Sequence, residues 1–529
     1  MPRPEDVGRT PFHWIAREQH PRIADFDVDD RRGHICATVA HRLHTVRTQG
    51  DAMTRSSLIW TPLALVALAG CPADEETDTE TGDTDTDTDT DAGTAMLRVV
   101  HASPDAPAVD VYIAGVPMPV LEDFAYGDAS DYVTIPAGAG TIELRAAGAA
   151  SDSEPAYTQD VTFAADTTAT AMAIGSFAGA GDAFRIAAFA EGFDAATAGN
   201  ARVRVVHASP GAPAVAIDVG NDGTPELSDV AFGDESGAAG VALPSGEAIA
   251  IGIWAGSPLG RVTAFTTPAL ADGAELFVVA TGLLTDLPRA ETGFSLLVID
   301  GDSGTAFVKQ DPVVYALHAG SDAPAVDVFA GPTELTADLA YGEISGKIQV
   351  PPGTYTLDLF ATAAGSTRPA GDPAASFTTP SLAAGGQYLA IPAGRLSVTG
   401  EFRLIAFGEG FDAEADEAAL AVVHASPNAP TVDVGTVASN TLTAVAGLED
   451  LSFGDSSAAA GVALPAGTYD LGLGADGSAP VLSFSDVGLT AGDRIIAVAA
   501  GEVGDNFQLW LVDTTAPSWT ATAVDPDGT

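Results

Sequence analysis

Four histidines in this chain each have an aspartate at short, repeated distance. Asp110 follows His101 by nine residues, Asp327 follows His318 by nine, and Asp433 follows His424 by nine; His207 has Asp218 eleven residues on. A histidine and a carboxylate can act as a general base and its orienting partner, or as metal ligands. That chemistry would make the chain a hydrolase or a metal-dependent enzyme. A hydrolytic reading also wants a recurring nucleophile. Ser103, Ser209 and Ser426 occupy one motif position, but the third copy has Gly320 there. One loop carries a second possible chemistry. Asp218, Asp222, Glu226 and Asp229 fall at positions 1, 5, 9 and 12 around a glycine, as oxygen ligation of calcium would require; Asn-Asp-Gly suits an ordinary hairpin equally well. Calcium is therefore the one cofactor the sequence admits, and otherwise none is expected.

The elements around the histidines argue for a structural role. Each is expected to end a strand: Leu97-Arg-Val-Val-His101, Val203-Arg-Val-Val-His207, Leu420-Ala-Val-Val-His424. Residues two apart on a strand share a face, so His101 shares one with Leu97 and Val99. Asp110 alternates with Val109 and Val111 and should point the other way from them. The expectation is a core-edge imidazole bonding the following turn, with the aspartate elsewhere.

The histidines are spaced by 106, 111 and 106 residues. A period that long is a domain able to close its own core. Around His101 the sequence reads His-Ala-Ser-Pro-Asp-Ala-Pro-Ala-Val-Asp-Val, with echoes at 207, 318 and 424. Each copy then carries an aromatic-Gly-acid signature: Tyr126-Gly-Asp128, Phe232-Gly-Asp234, Tyr341-Gly-Glu343, Phe453-Gly-Asp455. A Pro-x-Gly turn follows, as in Ile135-Pro-Ala-Gly138. Short alternating strands bounded by such turns predict an all-β sandwich of seven or eight strands.

These signatures resemble the bacterial family known as domain of unknown function 4397, found in tandem in secreted and anchored proteins. The resemblance covers about 97–515 and implies no activity. The third copy departs from it with Gly320-Ser321, and the second with Ala216 in the aspartate position.

Copies one and three end alike (Phe184-Arg-Ile, Phe402-Arg-Leu), as do two and four (Phe294-Ser-Leu, Phe507-Gln-Leu). The expected architecture is thus four tandem immunoglobulin-like sandwiches in two pairs, each pair sharing an interface. The copies span 96–200, 201–312, 313–418 and 419–515, with a tail at 516–529 and the weaker joint at 306–313. Trp510 is expected in the core.

Upstream lies a different kind of sequence. Residues 1–52 hold Cys36 and five histidines in no common zinc spacing, and read as a non-native or disordered extension. Residues 53–71 resemble a lipoprotein signal peptide: Arg55, an apolar run too short to span a membrane, then Leu68-Ala-Gly-Cys71. That predicts a lipid on Cys71. Residues 72–95 form an acidic Thr/Asp linker with no apolar residues to bury.

The net charge is −50, which repels phosphate backbones and excludes nucleic acid as a partner. With no cysteine beyond Cys71, the domains must hold together by packing alone. The sequence favours a non-enzymatic envelope protein, lipid-anchored at the outer membrane or cell surface of a Gram-negative bacterium. Its four domains would bind an envelope or extracellular ligand, adhere or build structure. The His-Asp enzyme is the alternative.

Overall fold

The computed structural model describes residues 93–529 apart from 115, 117, 180, 364, 366, 412–415 and 529. The lipidation residue Cys71, the signal segment and most of the acidic linker lie outside the described residues. Among those described, the regular structure is all strand, arranged as eight sheets.

Each copy is a sandwich of two sheets. In the first, the outer sheet runs Leu121–Phe124, Val109–Ile113, Gly138–Ala146, Tyr157–Phe163, all antiparallel. The inner sheet runs Val133–Pro136, Thr94–His101, Thr168–Ile174, Arg185–Ala190. The histidine strand lies parallel to Thr168–Ile174, with Val100 opposite Met172. Leu97 and Ala171 meet Val109, Val111, Ile142 and Leu144 across the sandwich.

The opposite face of the inner sheet is apolar too. Val100, Met172, Ile174 and Phe189 pack against Val206, Phe277, Val279, Leu297 and Ile299 of the second copy. In the same way Tyr315, Leu317, Leu389 and Ile391 of the third copy meet Ala421, Val423, Ile496 and Val498 of the fourth. Two sandwiches thus share one continuous apolar layer, and the copies form pairs.

The centres of the two pairs differ. In the first, Arg98 and Arg204 occupy equivalent strand positions and are both buried. Each reaches across: Arg98 Nη1 donates to the Asp300 carbonyl at 2.9 Å, and Arg204 Nη1 to the Ala190 carbonyl at 2.9 Å. Glu191 and Glu235 balance their charges, and the Phe277 ring lies between the two guanidinium groups at 5.2 and 4.6 Å. The second pair has Tyr315 and Ala421 instead, and Trp519 stacks on Tyr315 at 4.7 Å.

That stacking corrects two boundaries. The tail does not end the fold at 515: Trp519 is buried, and Thr520–Val524 pairs with Gln508–Asp513 as a fifth strand. Likewise Thr305–Lys309, inside the expected joint, is a strand paired with Ser295–Ile299. These strands make the inner sheets of copies two and four five strands wide. Between the pairs the contacts are polar, through Gln349 to Thr263 at 3.1 Å, Arg289 to the Phe411 carbonyl at 2.8 Å, and an Arg289–Glu409 ion pair.

The fragment 313–529 should therefore unfold cooperatively, and 313–515 should be less stable by about 3 kcal/mol or more, as loss of a buried tryptophan entails. Equal urea midpoints for the two fragments would contradict this placement of Trp519.

Candidate functional site

The motif histidines all do the same thing. Each is almost fully buried, with 0–2% of its surface exposed. Nε2 faces a proline carbonyl six residues on: Pro107 at 3.4 Å, Pro213 at 3.2 Å, Pro324 at 3.1 Å and Pro430 at 3.1 Å. A carbonyl only accepts, so Nε2 carries the proton. In the third copy the Gly320 amide donates to His318 Nδ1 at 3.2 Å, which requires the same neutral tautomer.

The backbone of each histidine is clamped by the aromatic-Gly-acid turn. The His101 amide donates to the Asp128 carbonyl at 2.9 Å, and the Gly127 amide to the His101 carbonyl at 2.9 Å. The same two bonds recur at His207, His318 and His424. The acid closes its own turn: Asp128 Oδ2 accepts the Ala125 amide at 2.8 Å, with Asp234, Glu343 and Asp455 equivalent. The aromatic side chain meets the imidazole edge-on at 6.4 Å in the first three copies.

The glycine of that turn is where the paired copy arrives. It has φ between 81 and 99° in all four copies, a region that favours glycine. A Cβ at Gly127 would lie 2.7 Å from the Phe307 ring of the second copy, and one at Gly342 would run into Trp510 of the fourth. Gly233 and Gly454 are covered in return by Arg185 and Arg403, whose guanidinium groups lie over Phe232 and Phe453 at 5.0 and 4.5 Å. Trp510 is thus half-buried at the pair interface, not inside its own sandwich. The sequence showed this signature but held no sign of its partner across the interface.

The motif aspartates sit apart from the histidines. Asp110 accepts the Asp123 amide at 2.9 Å and the Gly148 amide at 3.0 Å. Asp327 accepts those of Asp338 and Ala363, and Asp433 those of Asp450 and Asp476, all within 3.0 Å. In copies one, three and four the carboxylate ties two loops at the outer sheet. It faces away from the sandwich interior because Val109 and Val111 face in. Asp123, Asp229, Asp338 and Asp450 adopt φ of 52–57°; of these only Asp229 stood in a sequence pattern, the calcium-like spacing.

Asp218 serves its own hairpin. It accepts the amides of Asp222 at 3.1 Å and Gly223 at 2.7 Å, and the Trp254 indole at 3.1 Å. Glu226 accepts the Val219 amide at 2.7 Å, and Asp222 accepts Thr224. Among the described residues no three His, Cys, Asp or Glu side chains gather as a metal site. Of the four acids in the calcium reading, Asp218, Asp222 and Glu226 each turn an oxygen onto backbone amides of their own hairpin.

The remaining motif positions are equally internal. Ser103, Ser209 and Ser426 are buried and donate to the carbonyls of Gly175, Gly282 and Gly501 at 2.5–2.7 Å. Gly320 departs because a Cβ there would lie 2.7 Å from the Phe402 ring; its backbone pairs with Gly394 instead. Asp105 and Asp322, two residues past this position, cap the same loop by accepting Phe177 and Ala178 amides, and Leu396 and Ser397 amides.

Residues 95–218 and 312–435 match the family described as a domain of unknown function (DUF4397). The two matches lie in tandem along the chain. Each region begins in the histidine strand of copies one and three and runs into the Asp strand of the following copy, so the repeat of DUF4397 matches follows the pairs. No curated protein matches the chain. Among solved structures, the Bacillus anthracis TIE protein is similar at 9% identity, over 56% of this chain and 50% of that one, with a TM-score of 0.12. The chain thus spans half the length of that protein, and so low a score carries no argument about fold.

Burial pushes each motif imidazole below its ordinary value of 6.5, outweighing the upward pull of the carbonyl bond. With the folded value below the unfolded one, the unfolded chain holds more protons in between. The stability each histidine gives is then full above pH 6.5 and is lost as pH falls below it. The prediction is that His101→Gln destabilises the chain by about 1–2 kcal/mol at pH 8 and by less at pH 5. A difference in melting temperature that stays constant across that range would overturn the buried neutral assignment.

Proposed function

We propose that the chain is a non-enzymatic cell-envelope protein. A lipid on Cys71 holds it to a membrane, at the outer membrane or surface of a Gram-negative cell, and four sandwiches in two pairs engage an envelope or extracellular ligand. No cofactor, metal or nucleic acid enters this reading. The observation that carries it is the engagement of the recurring polar residues. In all four copies the motif histidine meets a carbonyl and the motif aspartate meets amides of its own copy. A general base needs its nitrogen within reach of a substrate proton in a cleft, and these imidazoles are enclosed. Four similar domains suit multivalent binding, because tethering raises the effective concentration of each later contact. The anchor is supported by Leu68-Ala-Gly-Cys71 behind a charged start and ahead of an acidic spacer.

Two measurements test it. Cys71→Ser should leave an unprocessed precursor that incorporates no labelled palmitate. Labelling and size unchanged from wild type would remove the anchor. The whole chain should be retained on purified envelope material at least tenfold more tightly than fragments 93–311 or 312–529. A single pair binding as tightly as the chain would remove the multivalent role.

A further inference from the structure

The interior of the first sandwich is not filled. A cavity of about 80 Å³ lies between its two sheets, walled by Val99, Val111, Leu144, Ala171, Phe184 and other apolar side chains. His101 is the one lining residue that can titrate, and its Nε2 is engaged by the Pro107 carbonyl. A guest would therefore meet no charge.

The four copies differ beside the space. On the outer sheet, Ile251 lies opposite Phe265, Leu357 opposite Phe377, and Leu471 opposite Phe484. The equivalent pair in the first copy is Ile142 and Gln159, with Tyr157 opposite Leu144 at the next inward position. Gln159 turns its amide to the edge of the inner sheet, donating to the Ile186 carbonyl at 2.7 Å and accepting its amide at 2.9 Å. On the facing sheet Ala171 stands opposite Val99; the third and fourth copies also have alanine at that position, Ala390 and Ala497, and the second has Val278.

Val109, Val111 and Ile113 of one strand all line the space, a wall of about 13 Å at the usual strand rise. Phe177, also in the lining, is 44% exposed. Apolar cavities of this kind stay dry and take up apolar guests; an engineered one of roughly 150 Å³ binds benzene or xenon. We propose that the first sandwich is a binding site for a short alkyl chain, either a small aliphatic molecule or the last few methylenes of a longer one. An uncharged space about half the volume of that benzene-binding cavity suits a few methylenes better than a ring or a polar solute. Binding there is independent of any ligand engaged by the surface of the pairs.

The test uses the whole chain from residue 72. Crystals under xenon pressure should show xenon between Val111 and Ala171. In solution 1-hexanol should bind, and Ala171→Leu should weaken it at least tenfold. Ala173→Val, a smaller addition at another lining position, should weaken it too and serves should Ala171→Leu fail to fold. If 1-dodecanol binds more tightly than 1-hexanol, the longer chain extends past Phe177; equal affinity assigns the site to small molecules. Absence of xenon from the first sandwich, or 1-hexanol affinity unchanged in a folded filling variant, would overturn the proposal.

Discussion

The strand bearing the motif histidine is apolar on both faces, and both must be covered. Leu97, Val99 and His101 face the outer sheet of their own copy, while Val100 and Ala102 face the next copy. A lone sandwich would leave Val100, Met172, Ile174 and Phe189 against water, a large apolar patch for one small domain. Pairing removes it, so the unit of folding is two copies. The signatures serve that unit. The histidine fixes the end of the strand, the aromatic-Gly-acid turn clamps the histidine backbone, and its glycine admits Phe307, Arg185, Trp510 or Arg403 from the facing copy.

The two pairs meet the same constraint with different chemistry. Burying Arg98 and Arg204 is costly unless each is balanced and hydrogen-bonded. Here Glu191, Glu235, two carbonyls and the Phe277 ring do so. The second pair avoids the charge and fills the volume with Tyr315 and Trp519. Reciprocal arginine bonds fix the relative position of two sheets more narrowly than apolar contact does, since each donor must find one carbonyl. The stacked rings achieve this through shape, and they recruit the end of the chain to do it.

The acidic composition has a structural side as well. Net charge of −50 reads as a solvated surface, yet many carboxylates turn inward onto backbone amides. Asp105, Asp110, Asp218, Asp322, Asp327 and Asp433 each accept at least two. With so few helices or long ladders to satisfy loop amides, short acidic side chains take that task.

What the sequence determined by itself was local and periodic. The repeat of His-Ala-Ser-Pro, the two-residue alternation around Val109 and the Pro-x-Gly turns specified strands, a sandwich and four copies, because side-chain alternation is a property of one strand. The alternation also separated Asp110 from the valines beside it. The matching ends of copies one and three indicated pairs. Tertiary structure decided what depends on residues far apart in the chain. It put Phe307 on Gly127, Trp519 on Tyr315 and the fifth strands beyond 305 and 516, none of which has a local signature. It turned Asp218, Asp222 and Glu226 onto their own hairpin, since the spacing of acids along a chain does not fix the direction of their oxygens. And it left the first sandwich hollow, because the space between two sheets depends on how side chains from both of them meet.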